Sequence, residues 1–204
     1  MGGRIGTSPS RRASDIFSES LSLLFYRSNF LACVVALVFL CPSPPARATD
    51  SISPFEGPYR LRFFHTHTGE RLDIVYRHGN AYDRGALATM SRYLRDHRTG
   101  EVRDYDPRLF DLLRDLTIAL GRPNAEIDVV CGYRTPWSNE YLRTHGHGVA
   151  RHSLHMQAMA IDIRVPGVRT SQLRDAALGL HRGGVGYYAS SDFVHVDVGR
   201  VRRW

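Results

Sequence analysis

Downstream of residue 57 the apolar positions change period repeatedly, from two to between three and four and back again. Residues 61–65 and 71–76 predict two strands, the second with Leu72, Ile74 and Tyr76 alternating. Gly69, in the Thr66-His-Thr-Gly-Glu70 segment between them, fits a hairpin loop. Residues 85–98 carry Leu87, Met90, Tyr93 and Leu94 at helical spacing, and Thr99-Gly100 ends that helix. Asp106-Pro107 reads as an N-cap followed by a first-turn proline. Leu109, Leu112, Leu113, Leu116 and Leu120 then form one stripe, which Gly121 and Pro123 stop. Residues 126–131 form a β-prone segment, 138–143 a brief helix behind Pro136, and 160–165 another strand. Thr170 is expected to cap a helix running to His181, and 185–188 and 194–198 are the last strands. Strands and helices do not alternate strictly. The expected fold class is therefore α+β, a single domain with a mostly antiparallel sheet and flanking helices.

The N-terminal part follows another pattern. Residues 30–41 are an unbroken apolar run, shorter than the roughly 20 residues that a spanning helix needs. Arg11, Arg12 and Arg27 precede it, and Pro42, Pro44 and Pro45 follow before Ala46-Arg47-Ala48. A basic stretch, a short apolar stretch and an Ala-x-Ala end describe a secretory signal peptide over residues 1–48. Residues 49–59, with Pro54, Gly57 and Pro58, then read as a linker, and residues 60–204 as the working domain. Leu40 before Cys41 is not the small residue of a lipoprotein site, so no stable membrane anchor is expected after cleavage.

Charge is decided by that division. The 204 residues hold 27 basic and 20 acidic side chains, a formal charge of +7, and every basic residue is arginine. Without residues 1–48 the charge falls to +4 and Cys131 is the one cysteine left. Export and modest charge argue against a nucleic-acid partner, and a lone cysteine excludes an internal disulfide. The surplus arginines suit an anionic wall polymer instead. A monomer is expected.

Two segments concentrate the groups that a reaction site needs, residues 151–162 and 191–197. Neutral imidazole and carboxylate are ligands that zinc takes at about 2.0–2.2 Å, and a catalytic zinc keeps three protein ligands and one open position. His155, Asp162 and His195 supply such a set, provided that the chain turns between His155 and Asp162. Two histidines and a carboxylate also suit non-haem iron. Asp192, three residues before His195, is expected to act as general base, and Arg134, in a loop leaving a strand end, to stabilise the developing oxyanion. Asp197 reads either as a partner that orients a ligand histidine or as a structural acceptor. Cys131 reads as a small buried residue. His65, His67, His78, His97, His145, His147 and His181 read as ordinary core or surface histidines.

The arrangement Ser153-x-His155-x6-Asp162 and Asp192-x-x-His195, with Gly-Tyr-Arg134 upstream, resembles the zinc D-alanyl-D-alanine peptidase family. Thr66-His-Thr-Gly-Glu70, the segment 94–102 and the ending Phe193 to Trp204 are similar to its murein endopeptidases from Gram-negative bacteria. The resemblance implies one zinc ion on the sheet, held by His155, Asp162 and His195, with Asp192 as base and Arg134 at the transition state. It places Ser153 and Asn139 near the substrate or in support of the metal. The implied activity is hydrolysis of peptide cross-links in peptidoglycan, in the periplasm. The different-class alternative is a non-catalytic zinc-stabilised wall-binding module. These residues leave open whether a D,D or an L,D bond is cut. Where the family's turn before the metal aspartate carries glycine, this chain has Ala158, which costs about 1 kcal/mol or slightly more if that turn needs positive φ.

Overall fold

The computed structural model describes residues 57–204 apart from His147. The expected signal peptide and most of the expected linker lie outside the described residues. Strands β1 (Tyr59–His65), β2 (Arg71–His78) and β3 (Ala81–Tyr82) are followed by helices α1 (Arg84–Tyr93) and α2 (Pro107–Ala119). Then come β4 (Glu126–Cys131), α3 (Pro136–His145), β5 (Ala160–Arg164), α4 (Thr170–Gly179), β6 (Gly184–Tyr188), β7 (Phe193–Asp197) and β8 (Arg202–Arg203). The strands form one sheet in the order β3-β2-β1-β4-β5-β7-β6-β8. Its pairings are antiparallel except β1 with β4 and β6 with β8. The α+β class and the mostly antiparallel sheet read from the sequence are what the chain adopts.

One face of the sheet buries the core. Phe63 pairs with Ile127, and Val129, Ile163 and Val194 stand in register across β4, β5 and β7, each fully buried. Helices α1, α2 and α4 pack against the sheet. The leucine stripe of α2 enters this core, with Leu109, Leu113 and Leu116 at 0% exposure. Truncating one such leucine to alanine costs about 2–5 kcal/mol.

Three local features differ from the sequence reading. Helix α1 stops at Tyr93 rather than Arg98, because the buried Asp96 carboxylate accepts Arg98 N–H at 2.9 Å and the Thr135 N–H and hydroxyl at 2.8 Å each. Those bonds draw residues 95–100 into a loop. Arg169, not Thr170, is the N-cap of α4, and its N–H is accepted by Gln172 Oε1 at 3.3 Å. Strands β3 and β8 are only two residues long, too short for any periodic signal.

Candidate metal centre

Strand register lines up the candidate residues. Cys131 stands opposite Asp162, Asp162 opposite His195, and His195 opposite Gly186. Paired residues share a sheet face, so these four make a row across β4, β5, β7 and β6. Cys131 belongs to it because of a bulge: Val129 pairs with Ile163, yet Cys131 pairs with Asp162. The extra residue reverses the alternation of β4 and turns Cys131 away from the core face. On β7 the alternation is regular. Val194 and Val196 point to the core, His195 and Asp197 to the row.

His155 arrives from outside the sheet. Ser153 caps the 3-10 turn Leu154–Gln157, its Oγ accepting His155 N–H at 3.3 Å. The turn closes on Ala158 in the left-handed region, at φ 52° and ψ 41°. This reversal lets two residues seven positions apart meet. The positive φ considered from the sequence is present, on alanine.

The donor atoms converge. His155 Nε2 lies 3.1 Å from Asp162 Oδ1 and 3.0 Å from His195 Nδ1, which is itself 2.9 Å from Asp162 Oδ1. The outer nitrogens are engaged elsewhere: His155 Nδ1 is 2.7 Å from the Gly132 carbonyl and His195 Nε2 is 3.0 Å from Asp197 Oδ2. Those acceptors assign a proton to each outer nitrogen. Two bare lone pairs and one carboxylate oxygen then face each other, an arrangement that a cation relieves. Tetrahedral zinc at 2.0–2.2 Å separates its ligands by about 3.3–3.6 Å, so the triangle fits a metal after opening by a few tenths of an ångström.

The electrostatics agree with unprotonated donors at His155 and Asp162. Burial pushes the His155 imidazole down to about 4. Burial opposes ionisation of Asp162, but the two imidazoles bonded to it hold its carboxyl well below the usual range. His195 is buried too, yet its bonds to Asp162 and Asp197 raise it above the ordinary imidazole value.

Cys131 offers a competing donor. Its Sγ and the donor atoms of His155 and Asp162 all lie within 4.8 Å of one another. The thiol is the poorer ligand, because burial raises its pKa and Arg134 Nε already donates to it at 3.1 Å. Arg134 Nη2 also donates to Asp162 Oδ2 at 2.8 Å, which leaves Oδ1 turned to the imidazoles.

The donors open on a cleft of about 250 Å³, whose lining includes Arg134, His152, Ser153, Tyr188, Arg202 and Trp204. Asn139 does not reach the donors. Its Nδ2 donates to the Ala150 carbonyl at 3.1 Å and so braces the cleft loop. Asp197 plays both roles left open by the sequence: it accepts from His195, from Gly184 and Gly199 N–H at 3.0 and 2.9 Å, and from Arg202 at 2.7 Å.

Asp192 is not brought to the site. It is a left-handed residue at φ 51°, its carboxylate accepts from the Thr170 hydroxyl, and its side chain is 70% exposed beside Arg164. The structure does not bring the base expected at this position to the donors, and the reason lies in its backbone. Asp192 lies before β7, closing the turn Ala189–Ser191 in the left-handed conformation, and that backbone carries its carboxylate to Thr170 and Arg164 and not to the donor row. His152, Tyr188, Arg202 and Trp204 were not singled out from the sequence. Trp204 and Arg202 reach the cleft through the pairing of β8 with β6, which no local pattern announces.

Comparison with known proteins identifies the family. Residues 54–204 match the family model described as peptidoglycan L,D-endopeptidase MepK. A protein of Haemophilus influenzae named probable peptidoglycan L,D-endopeptidase MepK is 40% identical over 147 residues, covering 72% of this chain and 79% of the relative. The peptidoglycan L,D-endopeptidase MepK of Escherichia coli K12 is 37% identical over 147 residues, covering 72% of this chain and 80% of the relative.

Proposed function

The chain belongs to the peptidoglycan L,D-endopeptidase MepK family and is a peptidase, and from that premise we propose that it is a zinc-dependent hydrolase of peptide cross-links in peptidoglycan. The observation that carries the reading is the meeting of His155 Nε2, Asp162 Oδ1 and His195 Nδ1 within 3.1 Å at the floor of an open cleft. The relatives' names favour the L,D bond. The leader pattern and the location of such a substrate favour action in the periplasm, and the expectation of a monomer stands beside them.

Zinc, when bound, would act as a Lewis acid and lower the pKa of its water to about 7. The chain's own residues prepare that site. The Gly132 carbonyl and Asp197 hold the outer N–H of His155 and His195, so that both bare nitrogens face inward. Arg134 pins Oδ2 of Asp162 and keeps a cationic guanidinium on the cleft wall, where it stabilises the oxyanion of the attacked amide. Among the described cleft residues, His152 is the imidazole outside the donor set. A ring nitrogen of His152 takes the proton from the attacking water and returns it to the leaving amine.

Digestion of isolated sacculi, with mass spectrometry of the muropeptides, tests the reading. Loss of cross-linked dimers through cleavage at the L,D bond, abolished together with metal binding in His155→Ala, is the expected result. Unchanged dimers in the presence of zinc would overturn it, and retention on sacculi without cleavage would favour the non-catalytic wall-binding module.

A further inference from the structure

Trp204 continues β8 beyond Arg203, its N–H donating to Val185 O at 3.2 Å and its carbonyl accepting Tyr187 N–H at 3.0 Å. This pairing puts it beside Gly186, the residue opposite His195. A Cβ on Gly186 would come within 2.6–2.7 Å of the indole Cε2, Cζ2 and Nε1. The ring therefore lies over the glycine, in a gap that any other residue would close. Nε1 donates to the Tyr188 hydroxyl at 2.9 Å, the ring centroid is 5.2 Å from that of His195, and the Arg202 guanidinium sits 4.9 Å from the ring centroid. Held on these sides, Trp204 is still 50% exposed, and it lines the cleft.

A large aromatic ring that is fixed in place and half open beside the reacting centre is a preformed contact surface, because little conformational freedom remains to be lost on binding. Tyr188 and Phe193, stacked at 4.5 Å, continue the wall, while Arg134 and His152 give the cleft its polar groups. A cleft of about 250 Å³ has room for a peptide side chain. We propose that Trp204 is a substrate-positioning residue whose indole receives an aliphatic side chain of the peptide next to the scissile bond. The proposal rests on the hydrolase reading above.

The chain has two tryptophans, so Trp137→Phe leaves Trp204 as sole emitter. In that background, with His152→Ala to stop turnover, titration with a cross-linked peptide dimer free of sugar is expected to give a saturable emission change, matched by a dimer that keeps its sugars. No change with either dimer overturns the proposal, and a change that requires the sugars overturns the assignment to the peptide. In kinetics, Trp204→Ala and Gly186→Ala are expected to raise KM about 5- to 10-fold, with kcat within about twofold and bound zinc unaltered. Trp204→Phe retains most of the parental KM. An unchanged KM in both Trp204→Ala and Gly186→Ala, or a loss confined to kcat with falling zinc content, would show that the ring merely supports His195. Should the parent protein leave sacculi uncut, the hydrolase reading fails, and the emission titration still decides whether Trp204 meets a peptide.

Discussion

His195 and Asp197 stand two residues apart on β7 and meet through Nε2 and Oδ2 at 3.0 Å. The strand period of two puts both on the metal face. Asp197 is fully buried, and bonds from His195, Arg202 and two backbone N–H groups overcome the burial that would otherwise raise its acid, holding it below the usual carboxylate range. It is ionised, and it fixes the tautomer that leaves His195 Nδ1 bare. Asp197→Ala is accordingly expected to weaken zinc binding by about 10- to 100-fold, measured by competition against a chelator. Unchanged affinity would mean that His195 finds its orientation elsewhere.

The two candidate proton carriers separate cleanly. The Asp192 carboxylate meets Thr170 and Arg164 away from the donor atoms, so Asp192→Ala should leave kcat within about twofold and cost less than about 1 kcal/mol of stability. His152 lines the cleft, and His152→Ala should lower kcat by about 10²- to 10⁴-fold while zinc content is retained. Muropeptide turnover together with metal analysis checks both, and the opposite ranking would restore the base to position 192.

Much of the candidate site is legible in the sequence because metal-ligand chemistry restricts residue types. Imidazole and carboxylate at positions 155, 162 and 195 stood out against a background of ordinary histidines, and the family likeness tied them together. The fold class was equally readable, since the α2 leucine stripe and the alternation on β7 reflect simple one-sided burial. Spacing to His195 does not place Asp192, because it closes a left-handed turn ahead of β7 that the local sequence does not announce. Cys131 could not be placed, since the bulge that turns it to the metal row leaves no mark in local composition. Trp204 and Arg202 act through a two-residue strand, below the length at which periodicity carries information.

Acid should loosen the domain through its other histidine cluster. His97 stacks on His67 at 4.2 Å and packs near buried His65. Burial, helped by the nearby positive charge of Arg98, pushes His97 down to about 4. The unfolded chain takes up that proton near 6.5, the ordinary imidazole value. This contribution to stability is therefore complete above about pH 6.5 and is lost as pH falls towards 4. Its size is about 1–2 kcal/mol, allowing for the ring's partial exposure. Thermal melts between pH 4.5 and 7.5 should show the decline, and His97→Gln should flatten it. An equal slope in the variant would assign the effect to other groups.

Ala158 gives the last test, because two opposing effects meet there. Its left-handed backbone costs about 1 kcal/mol, which glycine would relieve, but its methyl group is fully buried and contributes about 0.8 kcal/mol. Ala158→Gly should therefore be close to neutral in stability. A β-branched residue meets both penalties, since it resists positive φ and overfills a closed space. The Ala158 carbonyl accepts Asp106 N–H at 3.1 Å, so the turn cannot shift without disturbing the start of α2. Ala158→Val is expected to cost about 3 kcal/mol in chemical denaturation and to lower zinc affinity, because the turn that carries His155 would move with it. A valine variant of parental stability and metal content would show that the turn does not set the distance between His155 and Asp162.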